Sequence, residues 1–269
     1  MKIRPIIFVS IFAAVSAVYF LSPEAHSDFN ITLYQTFPVI AALIALYTSR
    51  IYGLKSANGR ALILITAGLV FWAIAETITY IYFLNGQDPF PSIADAFFLF
   101  AYPLFGAGIY QGYVTAGIKL KQVNKSLLTV VISASLILTI LVGYFGVYQA
   151  YDPSVDTTAN VVNVIYGLSD LVLVITSMFT ILVAREYGDG KLASFWKTMA
   201  AGFLLFLIAD ILFAMYGELY WDGVKPYACI DLIWLAGFLT LAYGMLENYI
   251  HVSSIQKQIK LKLQQRKKG

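Results

Sequence analysis

Residues 68–76 read GLVFWAIAE and residues 202–210 read GFLLFLIAD. Each is an apolar run closed by a carboxylic acid, Glu76 or Asp210, with more apolar sequence beyond it. Asp95, Asp170 and Asp231 are likewise set in apolar surroundings. A carboxylate facing lipid costs several kcal/mol, so such acids face the interior of a bundle and mark a site by default. Their chemistry falls into a few classes. A protonated acid donates a hydrogen bond between helices, at ~1 kcal/mol. A charged one binds a cation or carries protons. A pair can polarise a water, one acting as base and the other as acid. Desolvation and mutual repulsion both disfavour the charged form, and no Lys or Arg falls in the interior of any apolar segment, away from its ends, unless Lys225 folds in from its loop. The acids therefore hold protons or take in a cation.

The same inventory excludes other chemistries. Without an intramembrane lysine there is no retinal Schiff base. His26 and His251 fall at opposite ends of their segments and cannot jointly ligate a haem, and no His-x-x-x-His pair exists for a zinc hydrolase. Ser22, Ser92 and Ser253 have no histidine placed for a catalytic triad. GYVTAG and GDGK lack the strand and helix context of a phosphate loop. The pattern names no metal or cofactor.

The elements that must position the acids are helices. The chain has 269 residues, 59% apolar and 12% charged, against about 25% charged in a soluble domain. Apolar stretches long enough to cross a ~30 Å hydrocarbon core recur at about 4–22, 31–50, 61–84, 93–116, 126–149, 158–184, 195–217 and 227–250. Of the 18 basic residues, all but Lys225 fall on one side of these segments, and Glu24, Asp28, Asp88, Asp152, Asp156, Glu218 and Asp222 fall on the other. The positive-inside rule makes the basic side cytoplasmic, with both termini there. The first segment has the basic start and apolar run of a signal peptide. It is long for one, and its removal would unbalance the pattern below, so it reads as a span. Cys229 is the only cysteine, which excludes an intrachain disulfide. The net charge of +3 is a topology signal, not a nucleic-acid footprint.

The halves of the chain match. Gly68, Ile74, Ala75 and Glu76 align with Gly202, Ile208, Ala209 and Asp210. RIYG (50–53) aligns with REYG (185–188), and IADAFFLFAYPLFGAGI (93–109) with CIDLIWLAGFLTLAYGM (229–245). Asp95 then pairs with Asp231, Phe98 with Trp234, and Gln35 falls opposite Asp170. Four helices return the chain to its starting side, so two tandem repeats, about 1–125 and 126–250, share one orientation about an axis along the membrane normal. The fold expected is an all-α polytopic membrane protein of eight transmembrane helices, followed by a basic cytoplasmic tail helix at 251–269. Asp95, Phe98 and Tyr102 share a helix face, as do Asp231, Trp234 and Phe238, and Gly68, Trp72 and Glu76. Turned inward, these faces make an acidic, aromatic-walled pocket open to the outside, with Asp170 deeper.

At these residues the chain resembles a known family. PFPSIADAFFLFAYPLFGAGI (89–109) resembles the PSxADxxYLxxYPLL signature of multi-helix N-terminal membrane regions in bacterial signalling proteins with GGDEF and EAL output domains. IYGLSDLVLV (165–174), LIADILFAMY (207–216) and CIDLIWLAGFLTLAYGM (229–245) resemble later elements of those regions. The resemblance covers roughly 60–110 and 160–250. It implies that Asp95, Asp170, Asp210 and Asp231 are characteristic of the domain, and it assigns them no chemistry. Gly167 stands where the pattern has proline, and only a basic segment follows Tyr249 in place of an output domain.

The reading expected is a non-enzymatic membrane sensor or binding module in the cell membrane. Glu76, Asp95, Asp210, Asp231, Asp170 and Gln35 meet a cationic or small amphipathic ligand from the outer side, between walls of Trp72, Phe98, Tyr102, Trp234 and Phe238. Ile255, Ile259 and Leu263 keep a four-residue spacing on the basic tail, which meets the anionic inner leaflet or a cytoplasmic signalling partner. Two rivals stay open: an intramembrane lipid hydrolase using paired carboxylates, and a proton-coupled small-molecule transporter.

Overall fold

The computed structural model describes residues 3–266 except 25, 54, 120, 122, 155 and 189. Lys2, Lys267 and Lys268, used above for orientation, lie outside the described residues. Among those described there are helices and no strands: α1 (Ile3–Leu21), α2 (Asp28–Tyr52), α3 (Ala57–Leu84), α4 (Ile93–Ala116), α5 (Lys125–Leu141) continued by a π-helical segment (Val142–Tyr148), α6 (Thr157–Glu186), α7 (Lys191–Trp221), the short α8 (Lys225–Ala228) and α9 (Ile230–Arg266). Seven helical segments are long and apolar enough to cross a membrane, which makes this a multi-pass membrane protein by length and composition. α1 is apolar but shorter, 19 residues or about 28 Å of helix.

Side chains fix where the helices begin. Ser27, Ser56, Asn124 and Asp156 cap α2, α3, α5 and α6 by accepting backbone N–H groups of the first turn. Ser92 and Asp95 form a reciprocal capping box on α4. Gly117 ends α4 in the left-handed conformation, φ 67°, which glycine adopts at no steric cost.

Six helices close into a ring. α2 packs on α3 and α9, α6 packs on α7 and α4, α3 packs along α4, and α7 along α9. α1 leans on α9 and α2, and α5 on α6. In lipid the apolar faces gain nothing from leaving water, so close packing must hold the helices together. Small residues permit it. A Cβ on Gly68 would strike the Phe105 ring, one on Gly202 the Leu241 side chain, one on Gly108 Ile65, and one on Gly244 Met199. Gly167, where the family pattern has proline, lies against the backbone of Gly146 in the π-helical segment. No larger residue fits there.

The middle of the ring is aromatic. Trp72 meets Phe206 with ring centroids 4.4 Å apart and Phe105 at 4.6 Å, Phe105 meets Phe203 at 5.1 Å, and Phe206 meets Phe238 at 4.8 Å. Edge-on and tilted pairs of this kind add about 0.5–1.5 kcal/mol each beyond burial. α9 does not stop near residue 250. It runs on to Arg266 as one helix of 37 residues, its last turns exposed.

Candidate functional site

All five acids converge at the end of the ring where the α1–α2, α3–α4 and α7–α9 turns lie, and each accepts a hydrogen bond from an aromatic side chain on a different helix. Glu76 is one turn beyond Trp72 on α3, and its Oε1 accepts from the Tyr34 hydroxyl of α2 at 3.1 Å. Asp210 is one turn beyond Phe206 on α7, and its Oδ1 accepts from the Trp234 indole N–H of α9 at 2.7 Å. Asp170, in the middle of α6, accepts from the Tyr102 hydroxyl of α4 at 3.2 Å. It also lies within electrostatic reach of Asp210, and two carboxylates side by side disfavour the doubly charged state.

Asp95 and Asp231 sit in the first turns of α4 and α9, where the helix dipole favours a negative charge. Asp95 Oδ2 accepts from the Ser92 N–H at 2.6 Å, and Oδ1 from the Tyr166 hydroxyl of α6 at 2.7 Å. Asp231 is held twice, by Tyr19 of α1 at 2.7 Å and by Tyr220 of α7 at 2.8 Å. His26 Nε2 is 3.8 Å from Asp231 Oδ2, and its ring lies on Tyr220. Asp95, Asp170 and Asp231 are 8%, 7% and 5% exposed. Glu76 and Asp210 are half-buried. Glu76 also lies within electrostatic reach of Asp210 and Asp231, so the acids form one network. Lys225 does not enter it. Its ammonium donates to the Phe20 carbonyl at the end of α1.

Of the expected walls, Trp234 is a hydrogen-bond donor to an acid, and Trp72, Tyr102 and Phe238 are buried in the aromatic centre beneath the acids. Phe98 packs half-buried against that centre. The Trp72 indole N–H is buried without a hydrogen-bond partner. Gln35 is buried, yet it faces α3 and not Asp170: its amide donates to the Glu76 carbonyl and accepts from the Thr77 N–H and hydroxyl. Tyr19, Tyr34, Tyr166, Tyr220 and His26 were not anticipated from the sequence. Tyr166 had a signal, since it lies one turn before Asp170 on the same face of α6.

Outside the spans, the loop before α6 is a built structure. The Ser154 hydroxyl and N–H hold the Asp152 carboxyl below the usual carboxylate range, and Thr158 does the same for Asp156. Asn160 clasps the Asp152 backbone on both sides. No protein-family model matches the chain, and neither a curated protein nor a solved structure does.

Proposed function

We propose that this chain is a membrane sensor or binding module that takes an organic cation from the outer side into the acid cluster. One observation carries the reading: five carboxyls from α3, α4, α6, α7 and α9 are gathered at one place, partnered by tyrosine and tryptophan, with no lysine or arginine among them. Such a cluster is neutralised by protons or by an incoming cation. Phenol donors can turn to follow either state, and the aromatic floor suits an amine or quaternary ammonium. Among the described residues no group of three His, Cys, Asp or Glu side chains is placed closely enough to hold a metal ion.

In this reading eight spans form two four-helix repeats of parallel orientation, α1–α4 and α5–α9, with the termini cytoplasmic. Three features support it. α2 packs on α9 as α6 packs on α4. Gly68 abuts Phe105 as Gly202 abuts Leu241, in the aligned register. Trp72 and Phe206, which occupy aligned positions, touch at the centre, where a two-fold axis would pass. α9 carries Asp231 in its first turn and ends in the basic tail, so one continuous helix would join the site to a signalling partner, in keeping with the resemblance to sensor regions.

The test is binding of choline and spermidine to the purified chain in lipid nanodiscs by calorimetry. Saturable binding weakened at least tenfold by Asp210→Asn supports the reading. Equal, non-saturable heats in both proteins defeat it. A second reading, proton-coupled transport, is favoured by the neighbouring acids Asp170 and Asp210. Uptake driven by a pH gradient in proteoliposomes separates it from a sensor.

A further inference from the structure

At the opposite end of the bundle, α5, α6 and α7 leave a cavity of about 490 Å³ between them, within the ~300–1,000 Å³ of small-molecule sites. Its chemistry changes along its length. Arg185, at the end of α6, and Lys197, in the second turn of α7, line one part. Leu127 of α5, Ile181 of α6, and Ala200 and Leu204 of α7 line the remainder. α6 and α7 are antiparallel neighbours, so Ile181 and Leu204 lie deeper in the bundle than Arg185 and Lys197. The alanines make the room, and α5 keeps it open, being the least buried of the apolar helices.

The aligned place in the first half is built differently. Ile63 stands at the position of Lys197, 134 residues earlier, and α1 lies against α9 and α2 rather than against α3. The pairing of Arg185 with Lys197 is thus particular to the second half.

We infer that this cavity binds one anionic glycerophospholipid, its phosphate on Arg185 and Lys197 and an acyl chain between α5 and α7. Charge complementarity selects this occupant. A guanidinium grips phosphate through paired N–H donors and the ammonium adds a second charge, and basic pockets between membrane helices are the recurrent form of acidic-lipid sites. A zwitterionic lipid would bring its own cation to the two basic groups. The inference rests on the bundle lying in a bilayer and is independent of what the acid cluster binds.

The test uses the full chain in phosphatidylcholine nanodiscs containing phosphatidylglycerol, with retained lipid counted by native mass spectrometry. The wild type retains one phosphatidylglycerol. Arg185→Gln with Lys197→Gln lowers retention at least fivefold. Ala201→Leu does the same by filling the cavity with both charges intact; Ala201 lines it and is exposed, so the fold tolerates the change. Arg50→Gln, which removes an exposed charge at the aligned end of α2, retains lipid as the wild type does. Inorganic phosphate does not displace the lipid. Wild-type retention in either cavity variant would overturn the inference, as would an equal loss in Arg50→Gln, which marks unspecific surface attraction. Displacement by inorganic phosphate would overturn it in favour of a bare phosphate site. Choline binding at the acid cluster is measured on the same variants, so failure of one site is distinguishable from failure of the other.

Discussion

Glu76 and Asp210 occupy aligned places in the two halves, yet they meet different partners. In the first half α2 offers Glu76 a phenol, Tyr34. In the second half α6 offers Asp210 another acid, Asp170. The scaffold around the two is alike: a glycine two turns earlier, an aromatic residue one turn earlier, and a neighbouring helix that begins with an acid. The facing helices therefore present an acid–hydroxyl contact in the first half and two neighbouring acids in the second. Under the proposed reading, titration and cation capture would be concentrated in the second half.

The largest effect expected follows from that contrast. Asp170→Asn with Asp210→Asn should abolish the pH dependence of choline binding and weaken it at least tenfold, whereas Glu76→Gln should weaken it about threefold and keep the pH dependence. Calorimetry at several pH values checks this, and equal effects in the two halves would erase the distinction. Next, Gly68→Leu and Gly202→Leu should destabilise to similar degrees, about 1–3 kcal/mol each by overpacking, as read by unfolding in detergent. A severe effect at one and silence at the other would break the register between halves. Smaller still, Tyr34→Phe should cost about 1 kcal/mol by leaving Glu76 without its phenol. Tyr19→Phe should cost less, because Tyr220 still serves Asp231.

The smallest effect lies in the loop before α6. Asp156 is held below the usual carboxylate range by Thr158, so its contribution is complete above the unfolded value of about 3.9 and fades as pH falls through the lower folded value. Asp156→Ala should lower the thermal midpoint at neutral pH by about 2 °C. The gap to the wild type should close below pH ~3.

The all-helical, multi-pass character was legible because lipid enforces it: a charge or an acid in an apolar segment has few tolerable positions. Of the eight spans expected, seven among the described residues are long and apolar enough to cross a membrane, and α1 is shorter. The carboxyl partners were harder to read. Tyr19 and Tyr220 stand near helix ends, where interfacial tyrosine is ordinary, and nothing local ties either one to Asp231, 212 and 11 residues away. Gln35 shows how a small offset misleads. Aligned with Asp170 by sequence, it turns to α3 while its neighbour Tyr34 faces the acid, since one residue is about 100° of helix. The π-helical segment at Val142–Tyr148 had no periodic signature, and the expected tail helix is continuous with the last span because no glycine or proline interrupts residues 246–266.

Proton release on ligand binding tests the central claim most directly. The purified chain in weakly buffered nanodiscs is titrated with choline while a pH electrode follows the bulk. Displacement by the cation of a proton held between Asp170 and Asp210, as proposed, predicts release on the order of one proton per choline bound in the wild type, and none in the doubly amidated variant. Saturable binding with no proton release, or equal release from both proteins, would contradict it.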